Sequence, residues 1–358
     1  MPSTSSMTLL MPCAGRSSRY PGTRPKWMLT TPEGQLMVER AAESVSSAQV
    51  SRLVLGILQR HEDEFGGSEA IRRAFGNSVD IVVLDQDTKG PADTVRLMIE
   101  RAQVTGPIAI KDADSFFTTT DLPGGSGISI CDLRQHLDIS RVGAKSFVLI
   151  NEQNIITDIV EKEVCSNYIS AGLYFFSATD IFLSCFNAIS AKFEYKEIFV
   201  SHVISEAISS GEIFHPHIVS GLIDVGTLAD WREYTQSRSV YFIDLDGVVF
   251  VNHSKYFSPF WDEEDQPIPE NVATLLDIQK RGGQFIFATS RPEMYRAKTQ
   301  SSLEKLGLRI HALVMGCQHG KRYLLNDFAR SNPYPSAIAV NLPRNTPCLA
   351  EYLSLGGQ

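Results

Sequence analysis

The stretch Tyr241-Phe242-Ile243-Asp244-Leu245-Asp246-Gly247 sets two carboxylates two residues apart, directly after an apolar run. Side chains at i and i+2 leave a strand on one side, so one carboxylate can attack phosphorus while the other manages the proton. At a strand's carboxyl end they point into the crevice where α/β sheets bind ligands, and Gly247 lets the chain turn beside them. Calcium loops share a DxDG opening but need a glutamate at the twelfth position, which here is Lys255. Further along, the apolar run 285–288 ends in Thr289, whose hydroxyl can hold a phosphoryl oxygen. Lys321 offers charge for a pentavalent transition state, and Asp327 offers a late carboxylate for Mg²⁺. A nucleophile, an acid/base, a cation and a metal are the set that phosphoryl transfer requires.

A second constellation lies near the start of the sequence. Leu9-Leu10-Met11-Pro12 reads as a strand and Cys13-Ala14-Gly15-Arg16-Ser17-Ser18-Arg19 as a small-residue turn, with Pro25-Lys26 one loop later. The amides of such a turn, here Ala14, Gly15 and Arg16, can cradle phosphates that Arg19 and Lys26 neutralise. It is not a P-loop, because the Gly-Lys-Ser/Thr ending is absent. Asp112, Asp114 and Asp224 place further acids at the ends of apolar runs. His215 and His217 flank Pro216, but without a third ligand nearby they read as an ordinary surface or core pair. Trp27, Trp231 and Trp261 read as packing residues.

Positioning these groups calls for short apolar runs alternating with amphipathic stretches, the pattern of an α/β fold with a mainly parallel sheet. Strands are expected at 9–12, 52–58, 79–84, 107–111, 145–150, 169–176 and 213–219, with helices at 36–47, 92–103, 179–189, 198–209 and 228–234. After a polar seam at 235–238 the alternation restarts: strands 240–243, 284–288, 310–314 and 336–340, helices 269–280 and 293–306. Two domains are therefore expected, 1–236 and 237–358.

Residues 239–350 resemble the haloacid-dehalogenase (HAD) phosphatase superfamily on the strength of Asp244-Leu245-Asp246-Gly247, Thr289, Lys321 and Asp327. The resemblance implies that Asp244 forms an aspartyl-phosphate and that Asp246 protonates the leaving oxygen and later activates water. Thr289 would be the motif II hydroxyl and Lys321 the motif III lysine. Asp327 would hold Mg²⁺ with Asp244 and Asp246, although Asn326 stands where a second acid is usual. The short intervals from Asp244 to Thr289 and on to Lys321 leave no room for a folded cap. The expected domain is a HAD-type α/β unit with a parallel sheet, roofed by the loop 257–267, and the acidic run 262–265 reads as a solvated face.

Residues 7–236 resemble the sugar-1-phosphate nucleotidyltransferases through five motifs in order. These are the turn with Arg19 and Lys26 (Ser17 replacing the usual second glycine), the loop Thr88-Lys89-Gly90-Pro91-Ala92-Asp93-Thr94, Lys111-Asp112-Ala113-Asp114, Glu161-Lys162 with Ala171-Gly172, and Ile223-Asp224-Val225-Gly226. The fold implied is Rossmann-like with a mixed sheet. By the resemblance Asp114 and Asp224 hold Mg²⁺, with Asp112 competing for the first place or binding nucleotide. Arg19, Lys26 and Lys162 would hold phosphates, Gly90 and Thr94 would meet the base, and Glu161 and Gly172 would meet the acceptor. Together the two resemblances imply a bifunctional enzyme serving an activated surface-polysaccharide precursor. A non-catalytic HAD scaffold and a nucleotide-sugar sensor stay open as alternatives, as does homo-oligomerisation.

A formal net charge of -8 argues against a nucleic-acid binder, and no apolar run approaches the roughly 18 residues of a membrane span. Residues 1–8 read as a frayed tail rather than a signal peptide, and six cysteines without CxxC spacing read as buried reduced thiols. The expected setting is the cytoplasm, and the expected partners are an NTP and phosphorylated small molecules.

Overall fold

The computed structural model of the chain describes residues 6–45, 49–119, 122, 124–135, 142–192, 197–253, 263–327 and 337–355. It divides into two compact units, Met1–Trp231 and Arg232–Gln358. The division falls inside a helix, upstream of the seam read between 236 and 237.

The first unit runs β1 (Met7–Pro12), α1 (Met37–Ala42), β2 (Val50–Leu58), α2 (Gln59–Phe65), α3 (Gly67–Phe75), β3 (Asp80–Leu84), α4 (Pro91–Arg101), β4 (Ile108–Lys111) and β5 (Ser115–Thr118). It continues with β6 (Gly127–Asp132), β7 (Ser146–Ile150), β8 (Ile156–Glu161), β9 (Tyr168–Phe176), α5 (Thr179–Lys192), α6 (Val200–Ser209), β10 (His215–Ile218), β11 (Ser220–Asp224) and α7 (Leu228–Gln236), which crosses the division. Nine of the strands form one sheet in the order β10-β6-β9-β4-β1-β2-β3, with the β7–β8 hairpin branching from β9. The run β4-β1-β2-β3 is parallel, but β9 is antiparallel to both β4 and β6. The sheet in this unit is thus mixed, as the resemblance implied, rather than mainly parallel as the alternation of runs alone suggested. Strands buried on both faces read as continuous apolar runs in either direction, so the sequence pattern cannot report orientation.

The core lies where α4, α5 and α6 cover this sheet. Phe176 packs edge-on against Phe182 and Phe214 with ring centroids 5.2 and 5.5 Å away. All three rings are buried, and truncating one to alanine would cost about 3–5 kcal/mol. Trp27 and Trp231 are buried as packing residues, while Trp261 lies outside the described residues. His217 bonds Thr119 Oγ1 at 2.5 Å and stands edge-on to Phe175. All six cysteines are free, and Cys13, Cys131 and Cys185 are buried, but Cys165 is exposed and Cys317 and Cys348 are half-buried, against the expectation of buried thiols.

The second unit contains β12 (Val240–Asp244), α8 (Pro269–Lys280), β13 (Gln284–Ala288), α9 (Arg296–Lys305), β14 (Ala312–Val314) and α10 (Leu349–Leu355). Its three strands are parallel in the order β12-β13-β14. Phe285 and Phe287 alternate into a core with Ile243, Leu275, Ile278 and Leu303. Buried Asn271 donates to the carbonyls of Val248 and Thr346 and accepts from Leu349 N, tying three segments together. The expected strand 336–340 does not form over 337–340, and residue 336 lies outside the described residues. Among the described residues no helix is long and apolar enough to cross a membrane.

Candidate functional site

In the first unit β4 ends at Lys111 and β5 begins at Ser115, so Asp112, Ala113 and Asp114 form the turn between them. Lys111 is wholly buried, and its ammonium donates to the carbonyls of Asp112 and Ser115 and to Ser115 Oγ, each at 2.7 Å. Using all three protons makes a buried ammonium tolerable, although burial still draws its pKa below the usual lysine range. β5 pairs antiparallel with β11, setting Asp224 opposite Ser115, and Val225 N donates to the Asp114 carbonyl at 2.9 Å. The space beside Gly226 is where the acids meet. A side-chain carbon there would lie 3.0 Å from Asp224 Oδ1, 3.6 Å from Asp114 Oδ2 and 3.6 Å from Arg19 Nη1.

Each of these two acids is held by a lysine. Lys26 Nζ lies 2.5 Å from Asp114 Oδ2, and Lys145 Nζ lies 2.5 Å from Asp224 Oδ2. Burial pushes Asp114 toward its neutral form, but Lys26, Arg19 and Lys111 outweigh it and hold the carboxyl below the ordinary carboxylate range. Asp112 moves the other way, because burial and the neighbouring Asp114 both disfavour its charge. Asp112 Oδ2 accepts from Tyr174 Oη at 3.5 Å. Gly172, at φ +78°, accepts from Asp112 N, and a side-chain carbon on it would meet Asp112 Oδ2 at 2.8 Å.

The remaining predicted residues frame this centre. Ser17, in the glycine-like turn, adopts φ 49°, and its hydroxyl accepts from Lys26 N. Ala14 is buried, Gly15 is exposed, and Arg16 is occupied by Asp87, which also binds Arg60. Gly90, at φ +118°, packs so close to the Ile198 backbone that a side-chain carbon would lie 2.6 Å from its carbonyl oxygen. Thr94 is turned inward onto Thr88 and the Gly90 carbonyl. Glu161 accepts from Ser146 and Ser201, while Lys162, at φ 57° and exposed, sets its ammonium 4.9 Å from the Phe199 ring.

Asp114 and Asp224 suit Mg²⁺, which takes one or two carboxylates and fills its octahedron with water and substrate phosphates. Among the described residues no three His, Cys, Asp or Glu side chains gather into a full protein cage.

In the second unit the predicted pair leaves β12 as expected from the pattern, but its partners are arginines. Asp244 Oδ1 accepts from Leu245 N at 3.0 Å, and its Oδ2 lies 2.8 Å from Arg322 Nη1. Asp246 accepts from Arg291 Nε and Nη2 and from the buried Thr289 hydroxyl at 3.2 Å. Arg291 is itself buried, reaches Asp265 at 2.8 Å and lies over the Phe250 ring. The acidic run read as a solvated face is corrected at Asp265, whose side chain is only 11% exposed. Lys321 and Asp327 are both exposed. Asp327 does not join Asp244 and Asp246 in a three-acid group, so the described residues do not complete the metal site implied by resemblance. Residues 257–262 of the expected roof lie outside the described residues; Pro267 bridges to Phe250.

No protein-family model and no curated protein matches the sequence. Solved structures do. A nucleoside-diphosphate-sugar pyrophosphorylase from Vibrio cholerae RC9 is 21% identical with a TM-score of 0.55, covering 64% of this chain and 99% of its own. An inositol-1-phosphate CTP transferase from T. maritima is 18% identical with a TM-score of 0.51, covering 63% and 91%. A UDP-glucose pyrophosphorylase complexed with UDP-glucose is 17% identical with a TM-score of 0.51, covering 65% and 98%. The chain shares their α/β fold with a mixed sheet.

Lys145, Arg291 and Arg322 pair with the predicted acids and were not singled out by the sequence. Arg291 carried a faint signal, a basic residue two positions beyond Thr289 at a strand end. Lys145, just before β7, carried none, because its partner Asp224 lies 79 residues further along the sequence.

Proposed function

We propose that the first unit transfers a nucleotidyl group from an NTP to a sugar phosphate or similar phosphorylated alcohol. A phosphate oxygen of the acceptor bonds to the α-phosphorus as the bond to the bridging oxygen breaks, and pyrophosphate leaves with that electron pair. The observation carrying this reading is the convergence of Asp114, Asp224 and Arg19 on the space beside Gly226, with Lys26 on Asp114. Asp114 and Asp224 would hold Mg²⁺, which when bound neutralises triphosphate charge. Arg19 and Lys26 bind the departing pyrophosphate, Lys162 holds the acceptor's phosphate, and Glu161 and Gly172 line the acceptor side. Ala14, Gly15 and Arg16 offer amides to the triphosphate, while Gly90, Thr94 and Asp112 shape the nucleotide side. Catalysis is then positioning and charge neutralisation. Screening the four NTPs against phosphorylated sugars and polyols for Mg²⁺-dependent pyrophosphate release tests it; no release from any pairing would refute it.

We read the second unit as a phosphomonoesterase in which Asp244 attacks phosphorus and Asp246 serves as acid and base. Asp244 and Asp246 at the end of β12, with the Thr289 hydroxyl on Asp246, support it. Arg322 supplies positive charge at Asp244 where the resemblance named Lys321. Joined in one chain, dephosphorylation and nucleotidyl activation suit an activated surface-polysaccharide precursor made in the cytoplasm. The incomplete acid set around Asp244 favours a second reading, a non-catalytic scaffold. Phosphate release from aryl phosphates that disappears in Asp244→Asn supports the esterase; no release by the unaltered protein supports the scaffold.

A further inference from the structure

We propose that Lys145 is a second cation for the acceptor's phosphate, held on Asp224 until a divalent cation takes that carboxylate. The inference rests on the nucleotidyltransferase reading of the first unit and adds a residue to it. Lys145 directly precedes β7, and its carbonyl accepts from Lys162 N at 2.9 Å. The two lysines are therefore backbone neighbours at the open end of the β7–β8 hairpin. Their ammonium groups are placed differently. That of Lys162 lies over the Phe199 ring on an exposed side chain, whereas that of Lys145 is 2.5 Å from Asp224 Oδ2 with 15% of its side chain exposed.

Asp224 has its other oxygen fixed by Gly226 N at 2.9 Å. Lys145 therefore occupies the Asp224 oxygen that no backbone amide holds, on the same carboxylate whose Oδ1 faces the space shared with Asp114. A single ammonium on a flexible four-carbon stem makes one point contact and yields to a doubly charged ion at a hard oxygen. Once displaced, Lys145 remains within side-chain reach of the same space and offers three unpaired donors to a phosphate. Lys26 makes the matching contact on Asp114, but it sits on the nucleotide side, in the loop that follows the Ala14–Ser17 turn. Lys145 sits on the acceptor side, beside Lys162 and Glu161.

The test uses the full chain and the variants Lys145→Met and Lys145→Arg, with thermal unfolding to confirm that both fold. Mn²⁺ binding to the nucleotide-free protein, followed by calorimetry, reads the competition for Asp224. Lys145→Met should bind Mn²⁺ about five- to tenfold more tightly, since the competing ammonium is gone. In pyrophosphate release its acceptor KM should rise about tenfold or more while the NTP KM stays near wild type, and Lys145→Arg should recover part of the loss. Unchanged Mn²⁺ affinity, or an unchanged acceptor KM, in an otherwise active enzyme overturns the role of Lys145 alone. Wild-type protein that releases no pyrophosphate with any pairing overturns the nucleotidyltransferase reading and this role with it.

Discussion

Both units place carboxylates at strand ends and give each a cationic partner, yet the cations differ. In the first unit Asp114 and Asp224 are held by lysines, each through one contact and with side chains 15–28% exposed. In the second, Arg291 grips Asp246 with Nε and Nη2 and Asp265 with Nη2, its side chain only 4% exposed above the Phe250 ring. A monodentate ammonium on a flexible stem is easily exchanged for a metal ion, whereas a bidentate guanidinium is a fixed part of the scaffold. The lysine contacts of the first centre are therefore the exchangeable ones, and the arginine contact on Asp246 is the fixed one.

The largest expected effects test whether the two centres are independent. Asp224→Ala should lower the rate of pyrophosphate release by about 10³-fold or more while aryl-phosphate hydrolysis is unaffected, and Asp244→Asn should do the reverse. Parallel assays of both activities on each variant check this, and loss of both activities in either variant would break the separation. The second prediction concerns fixity. Arg291→Met leaves Asp246 and Asp265 without their shared cation and should destabilise the second unit by about 3–5 kcal/mol. Lys145→Met should cost about 1 kcal/mol or less in the first. Hydrogen exchange of peptides from 240–314 and from 146–176 compares the two, and equal losses of protection would refute the contrast.

Smaller in effect, Arg322→Ala should reduce phosphate release about 10²-fold, while Lys321→Ala stays within about threefold of wild type. Steady-state kinetics on a common aryl phosphate decide between them, and the opposite ranking would restore Lys321 to the catalytic place. The smallest effect is on pH. Burial, with help from Arg60, lowers the pKa of His61 from 6.5 to about 4, and the ring accepts from Trp27 Nε1 at 3.3 Å. Between pH 4 and 6.5 the unfolded chain binds a proton that the folded chain refuses, so stability is full above 6.5 and falls as pH drops toward 4. Denaturation followed by tryptophan fluorescence should show this slope, and His61→Gln should flatten it.

Much of this was legible because it is local. The apolar runs at β1, β4 and β12, with acids at or just past the ends of the last two, mark strand ends from sequence alone, and helix α8 appears over the residues its pattern indicated. Less legible were the short strands β5 and β11, which carry no long apolar run but whose antiparallel pairing brings Asp114 and Asp224 together. Gly90 also gained a reason that the sequence did not show: a side chain there would overlap the Ile198 backbone.

By itself the sequence determined which carboxylates stand at strand ends, since periodicity and turn chemistry act over a few residues. Only the tertiary structure decided which cations meet them. Lys145 reaches Asp224, and Arg291 reaches both Asp246 and Asp265, through strand pairings distant in sequence. A long basic side chain carries no mark of the partner it will find. Its contacts are set by where the backbone places its Cα and by the cost of leaving a buried carboxylate unpaired.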